Sequence, residues 1–300
     1  MEKNKELRDW LNLLIRPGFY VEEGRITQVN AAAQGLLLEP GMDIAPLITS
    51  GLESYQHFQT GCLYVQLTLS GTTFQGCVTK DGSADVFTLE SETGDTALQV
   101  LSLAAQELRS PLSAIMHGVQ AFSEENNPQA AALNRGLYQL LRLVGNMSDA
   151  GRWPGNARME TADLTAFFDE LFEKTAVFAQ DAGIRLEYQG LSKPVLCLAD
   201  RDLLERAVLN LRQPGIEDSR FGLGLGMVLV RSAAAAHGGA VLIDQPEGWG
   251  TRVTMTISLR RETAEVLRSP TMRIDYAGER DHALTELSDC LPISLYQKEI

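Results

Sequence analysis

The chain has 300 residues, of which 44% are hydrophobic and 22% charged. This is room for two or three small domains and enough apolar surface to exclude wholesale disorder. Twenty-six Lys and Arg against 39 Asp and Glu give a net charge of −13 and a pI near 4.8, so no nucleic-acid partner is expected. Four cysteines, Cys62, Cys77, Cys197 and Cys290, lie far apart with no C-x-x-C pair. They argue against a zinc motif and a secreted disulfide framework, and point to reduced thiols in a cytoplasmic protein.

The N-terminal stretch Met1–Trp10 is charged, and the apolar run Leu11–Ile15 is too short for a signal peptide. Phe19–Glu22 and Arg25–Asn30 read as short strands around Glu23-Gly24. Ala31–Leu38 reads as a helix stopped by Pro40-Gly41. Leu63–Leu69, Thr73–Thr79 and Ala84–Glu90 read as three further strands. Two strands, short helices and three strands, with the stretch "FYVEEGRITQVNAAAQGLL", resemble a PAS sensor domain over residues 1–93. His57 reads as a surface or satisfied polar histidine rather than a haem ligand.

Residues 94–152 carry two apolar stripes. Leu98, Leu101, Ala105, Leu108, Leu112, Ile115, Val119 and Phe122 alternate in steps of three and four. Ala130, Leu133, Leu137, Leu140, Val144 and Met147 do the same after Asn126-Asn127-Pro128. Such seams bury best in a four-helix bundle made by two copies of the hairpin. The bland alternative is a monomeric hairpin packed on a neighbouring domain.

Residues 153–259 read as a second α/β domain. Leu164–Ala182 is a helix with Asp163 as its cap and Gly183 at its end. Ile184–Tyr188 and Val195–Leu198 read as strands, Asp200–Leu211 and Gly226–Ala236 as helices, and Ala240–Ile243 with Thr251–Leu259 as a hairpin. Phe221–Ile243 is apolar, but its glycines, Arg231 and His237 make it a loop plus helix rather than a membrane span. Residues 260–300 form a C-terminal extension without an interpretable motif.

Gln106-Glu107-Leu108-Arg109-Ser110-Pro111-Leu112 resembles the H-box of sensor histidine kinases in six of seven positions. The departure is Gln106, which stands where the family has its phosphoaccepting histidine. A carboxamide nitrogen is conjugated to its carbonyl and is no nucleophile, whereas neutral imidazole is. His117 follows without the Glu-Leu-Arg context and reads as a solvated histidine. Phe221-Gly222-Leu223-Gly224-Leu225-Gly226-Met227 and Gly248-Trp249-Gly250-Thr251 resemble glycine boxes of the family's ATP-binding domain. Glycines let backbone N–H groups approach a phosphate at a helix start. His237 fits the family's Ala-His-Gly-Gly helix end, a structural role. Asn210 matches the first asparagine of the N-box; Pro214 stands where the second belongs. Only eleven residues separate Asn210 from Gly222, so two strands and the adenine-reading Asp-x-Gly-x-Gly loop are missing. Either this is a genuine deletion or an internal segment is absent from the 300-residue sequence.

The expected fold class is therefore α+β and multidomain: a PAS-like α/β sensor (1–93), a two-helix dimerisation hairpin (94–152), an incomplete ATP-binding α/β sandwich (153–259) and the extension (260–300). The resemblance implies a two-component signalling protein. It places Gln106, Glu107 and Ser110 at the catalytic positions and Asn210, Gly222, Gly224, Gly226 and Thr251 at the cofactor. Asn210 would also be the metal ligand, with ATP and Mg²⁺ as the implied pair. Expected partners are a second copy or a related kinase, and a response regulator, with no nucleic acid and no membrane span. The leading reading is a cytoplasmic pseudokinase acting by binding. The alternatives are an active ATP-dependent histidine kinase completed by a segment absent here, or a response-regulator phosphatase positioning a water with Gln106, Glu107 and Ser110.

Overall fold

The computed structural model describes residues 11, 13–82, 84–91, 100, 103–109, 112, 113, 115, 128–150, 157–211, 225–247, 250–259 and 281–296. The chain divides into two units, residues 1–96 with 234–258, and residues 97–233 with 259–300. It is a mixed helix-and-strand protein, and every strand pairing among the described residues is antiparallel. No helix among the described residues is long and apolar enough to cross a membrane.

The first unit forms the five strands expected from its turns and adds a short one, Ile48–Ser50, that was not expected. β1 (Gly18–Glu22) and β2 (Arg25–Val29) form a hairpin, followed by the short helix α1 (Ala31–Gln34), β3 (Ile48–Ser50) and α2 (Leu52–Gln56). Then come β4 (Cys62–Leu69), β5 (Thr72–Asp81) and β6 (Ala84–Ser91). The sheet runs β2-β1-β6-β5-β4. Along β4, Leu63, Val65, Leu67 and Leu69 are buried while Cys62, Tyr64, Gln66 and Thr68 are half-buried, the period of two that one covered face demands. Phe19 stacks on Phe87 at 4.9 Å within this core. Helix α1 ends before Leu38 because Leu37 takes a positive φ of 62°. Asn30 is its cap and is buried. Its Oδ1 accepts from Gly18 N (3.1 Å) and Ala33 N (2.9 Å), while Nδ2 donates to Arg16 O at 2.8 Å.

The far edge of β4 is occupied by two segments. β3 pairs with Gln66 and Leu67, and β9 (Val241–Asp244) pairs with Cys62–Tyr64. β10 (Arg252–Met255) completes a hairpin with β9. This is the hairpin expected at the end of residues 153–259. It forms as expected but continues the first sheet. Close approaches fix it there. Ser50 Oγ donates to Gly239 O at 2.7 Å, and Ser54 Oγ lies 3.0 Å from Thr256 Oγ1. Gly61, at φ +95°, passes so near β9 that a Cβ there would sit 2.3 Å from Ile243 O.

In the second unit, residues 103–109 are helical and the long helix over Pro128–Ala150 follows; these are α3 and α4. Ala105, Leu112, Leu137, Leu141, Val144 and Met147 pack together with Leu225 of α7 (Leu225–Ala236). Between them in sequence lie β7 (Glu160–Asp163), α5 (Leu164–Asp181), β8 (Leu196–Ala199) and α6 (Arg201–Asn210). Asp163 caps α5 by accepting from Thr165 N at 3.0 Å, and Gly183 closes it at φ +67°, as the sequence suggests. The expected strand Ile184–Tyr188 is not formed. Among the described residues β7 and β8 pair with each other and with no third strand, so this segment has no described ladder, and Ile184 and Tyr188 remain partly exposed. Within the C-terminal extension, Asp281 caps a short helix α8 (His282–Glu286) by accepting from Ala283 N at 2.7 Å.

Gly61→Ala should lower the urea stability of the first unit by about 1–3 kcal/mol, through both backbone strain and the blocked approach of Ile243 O. Gly24→Ala, equally left-handed at φ +76° but with open space at its Cβ, should cost less. Circular dichroism melts of both variants test the order; equal losses would refute the close-packed β4–β9 join.

Candidate functional site

Residues 106–109 of the segment that resembles an H-box lie on α3. Ala105 faces the interior, whereas Gln106, Glu107 and Leu108 are exposed. Arg109 anchors the helix by donating from Nη2 to Ser148 Oγ on α4 at 3.0 Å. A guanidinium held in this way fixes the rotation of α3, and so which side chains it presents. Ser110 and His117 lie outside the described residues.

The two apolar stripes divide by seven-residue steps. Ala105, Leu112, Leu137 and Val144 are buried in the chain's own core. Leu108 and Ile115 are 47% and 54% exposed, and Leu133 and Leu140 are 52% and 49% exposed. Two helices cover only one side of each other, so these four described seam positions turn outward.

Asn210 ends α6 in a buried polar cluster. Its Nδ2 donates to Arg206 O at 2.8 Å and to Glu286 Oε2 at 3.0 Å. Its Oδ1 accepts from Arg142 Nη2 at 3.3 Å and from Asn146 Nδ2 at 3.4 Å. Glu286 is paired in turn with Arg206, whose Nε is 3.1 Å from Oε1, and with Arg142, whose Nε is 3.6 Å from Oε2. Arg142 also pairs with Asp289, and Arg206 Nη2 donates to Asn146 Oδ1 at 3.1 Å. Two arginines and two carboxylates balance in charge. All four hydrogen-bonding positions of the Asn210 amide are used, so in this arrangement no lone pair is left for Mg²⁺. The residues present do not fit the metal implied for this position.

Of the glycine-box positions, Gly222 and Gly224 lie outside the described residues. Gly226 is buried in the first turn of α7. Thr251 is exposed immediately before β10, in the first unit, while Asn210 and Gly226 belong to the second. His237 closes α7, with Gly239 N donating to Ala234 O at 2.8 Å and Gly238 at φ +69°. His57 is exposed, its Nδ1 2.8 Å from Glu53 O. Among the described residues no group of three His, Cys, Asp or Glu is placed to hold a metal ion.

The sequence reading missed the partners of Asn210. Arg142 and Asn146 lie on α4, where only the apolar stripe was informative. Glu286 lies in the extension. Asp281 followed by the apolar spacing of Ala283, Leu284, Leu287 and Leu291 was a legible helix signal there, and all four are buried. The sequence also gave no sign of a second polar group in the first unit. There Tyr55 OH donates to Asp85 Oδ2 at 2.7 Å, and Lys80 Nζ lies 2.6 Å from Asp85 Oδ1. Burial, then the Asp85 bond, pushes the Tyr55 hydroxyl far above the usual phenol range.

Comparison with protein-family models finds no match, and comparison with curated proteins finds none.

Glu286→Ala should destabilise the second unit by about 3–5 kcal/mol, because two buried guanidinium groups would lose their shared carboxylate. Asp289→Ala, whose side chain is 48% exposed, should cost under about 1 kcal/mol. Urea melts followed by helical circular dichroism read both; a loss for Glu286→Ala no larger than for Asp289→Ala would refute the buried cluster.

Proposed function

We propose that this chain is a signalling protein of the sensor histidine kinase type, catalytically degenerate and acting by dimerisation and partner binding. The observation that carries the reading is the outward row Leu108, Ile115, Leu133 and Leu140, at seven-residue steps beside the exposed Gln106 and Glu107. A second copy presenting the same row would complete a four-helix bundle and remove four large side chains from water. Exposed apolar surface of this regularity favours an interface over a solvated face. The polar pair Gln106 and Glu107 would stay beside the bundle, where a response regulator could dock.

Two features support loss of catalysis. Gln106 has no nucleophilic nitrogen to accept a phosphoryl group. The Asn210 amide is engaged by Arg142, Asn146, Arg206 and Glu286, not free to hold a metal–nucleotide pair. The role of residues 1–93 in this reading is sensory input, supported by the order of the first unit: a hairpin, a short helix, the short strand β3, helix α2 and three further strands.

Light scattering at micromolar concentration should give twice the chain mass. Leu108→Asp should return the chain mass with little loss of helix, since Leu108 is already half exposed in the single chain. Gln106→Ala should leave the dimer intact. A wild-type monomer, or a dimer indifferent to Leu108→Asp, would refute the bundle. Titration calorimetry with Mg-ATP should be flat, and no base-stable phosphate should form on the chain when it is mixed with an intact kinase of the family.

A further inference from the structure

Cys62 and Cys77 stand on neighbouring strands of the first unit. In the β4–β5 ladder Cys62 is opposite Thr79 and Tyr64 is opposite Cys77, so the two cysteines are diagonal neighbours on one face. That face is the outer one: Leu63, Val65, Phe74 and Val78 point into the core, whereas both cysteines are half-buried. Their sulfurs lie 2.7 Å apart. Non-bonded carbon atoms sit at about 3.5–4.0 Å, so this is a closer approach than packing alone produces. Little movement separates such a pair from a bond.

We infer that Cys62 and Cys77 form a thiol-oxidation site, which a peroxide closes to a β4–β5 disulfide and a dithiol reductant reopens. In the first step one thiolate attacks a peroxide oxygen, the O–O bond breaks, and a sulfenic acid and hydroxide result. In the second the other thiolate attacks that sulfur, the S–S bond forms, and hydroxide leaves as water after taking a proton. The sum is two thiols and one hydrogen peroxide giving one disulfide and two waters. Half-burial admits a small oxidant while the neighbouring thiol intercepts the sulfenic acid before a second peroxide does. Reversible cytoplasmic disulfides of this kind are characteristic of redox sensing. Cys197 differs from this pair. Cys197 is buried, and desolvation raises its thiol above the usual range, which disfavours the reactive thiolate. The bond would tie β5 to the end of β4 that receives β9, since Cys62 is also opposite Ile243. The inference rests on the sheet alone and stands or falls independently of the kinase-type reading.

The test uses the full 300-residue chain, first reduced, then treated with hydrogen peroxide, alkylated and mapped by non-reducing peptide mass spectrometry. The intact mass before alkylation should fall by about 2 Da, the two hydrogens lost, with Cys62 and Cys77 in one linked peptide pair. Dithiothreitol should restore the starting mass. Cys62→Ser and Cys77→Ser should each abolish the linkage, and Cys197→Ser should leave it intact. Should a serine variant misfold, timed alkylation of the wild-type chain decides instead: Cys62 and Cys77 should lose reactivity together, and before Cys197. Independent alkylation of the two after peroxide, separate conversion to sulfinic acids, or linkage between chains would each overturn the inference.

Discussion

The edge of β4 is the constraint on which the first unit depends. A strand buried on one face must still satisfy its backbone N–H and C=O groups on both sides. β5 serves one side along the full length of β4. The other side is divided between a local segment, β3, and a remote one, β9. The remote pairing depends on close approach: Gly61 and Gly51 allow contacts with Ile243 and Ala240 that a Cβ would block. Ala240 joins the same core as Phe19 and Phe87. A hairpin some 180 residues later in the chain thereby becomes part of a sheet begun near the N-terminus.

The same requirement accounts for what the second unit lacks. Among the described residues β7 and β8 pair only with each other, and the segment after α5 finds no ladder. Its apolar residues are therefore partly exposed instead of forming the strand their alternation suggests. The stability of this unit draws on helices and on the docked segment 281–296. Tyr296 is fully buried there, its OH donating to Leu284 O at 2.9 Å and its ring 5.1 Å from Tyr138. Burial, the largest cause, lifts the Tyr296 hydroxyl well above the usual phenol range. Arg135 adds donor bonds to Ser288 O and Asp289 O, both at 3.0 Å.

The Arg142, Arg206, Glu286 and Asn210 cluster has a cost and a consequence. Desolvating two guanidinium groups and a carboxylate is unfavourable, and their mutual bonds offset it only when every member is satisfied. The consequence is geometric. Arg142 belongs to α4, Arg206 and Asn210 to α6, and Glu286 to α8, so one polar node sets the mutual placement of three helices within the second unit. An apolar replacement would hold them together with less specification of register.

Local pattern determined a good deal. Alternation in β4, the Asp163 cap, the glycine after α5 and the three–four spacing of the two stripes all act over a few residues, so the elements they specify could be read in the sequence. The exposure of Gln106 and Glu107 follows from that spacing as well. Tertiary structure alone decided which edge takes β9, which of the described seam positions turn outward, and what surrounds Asn210. The H-box and glycine-box resemblances carry residue identities but no information on these points. Those points depend on partners many tens of residues away, as Cys62 with Ile243 and Arg206 with Glu286 show. A sequence specifies such pairings only through the summed burial and hydrogen bonding of the folded chain, and no local period records that sum.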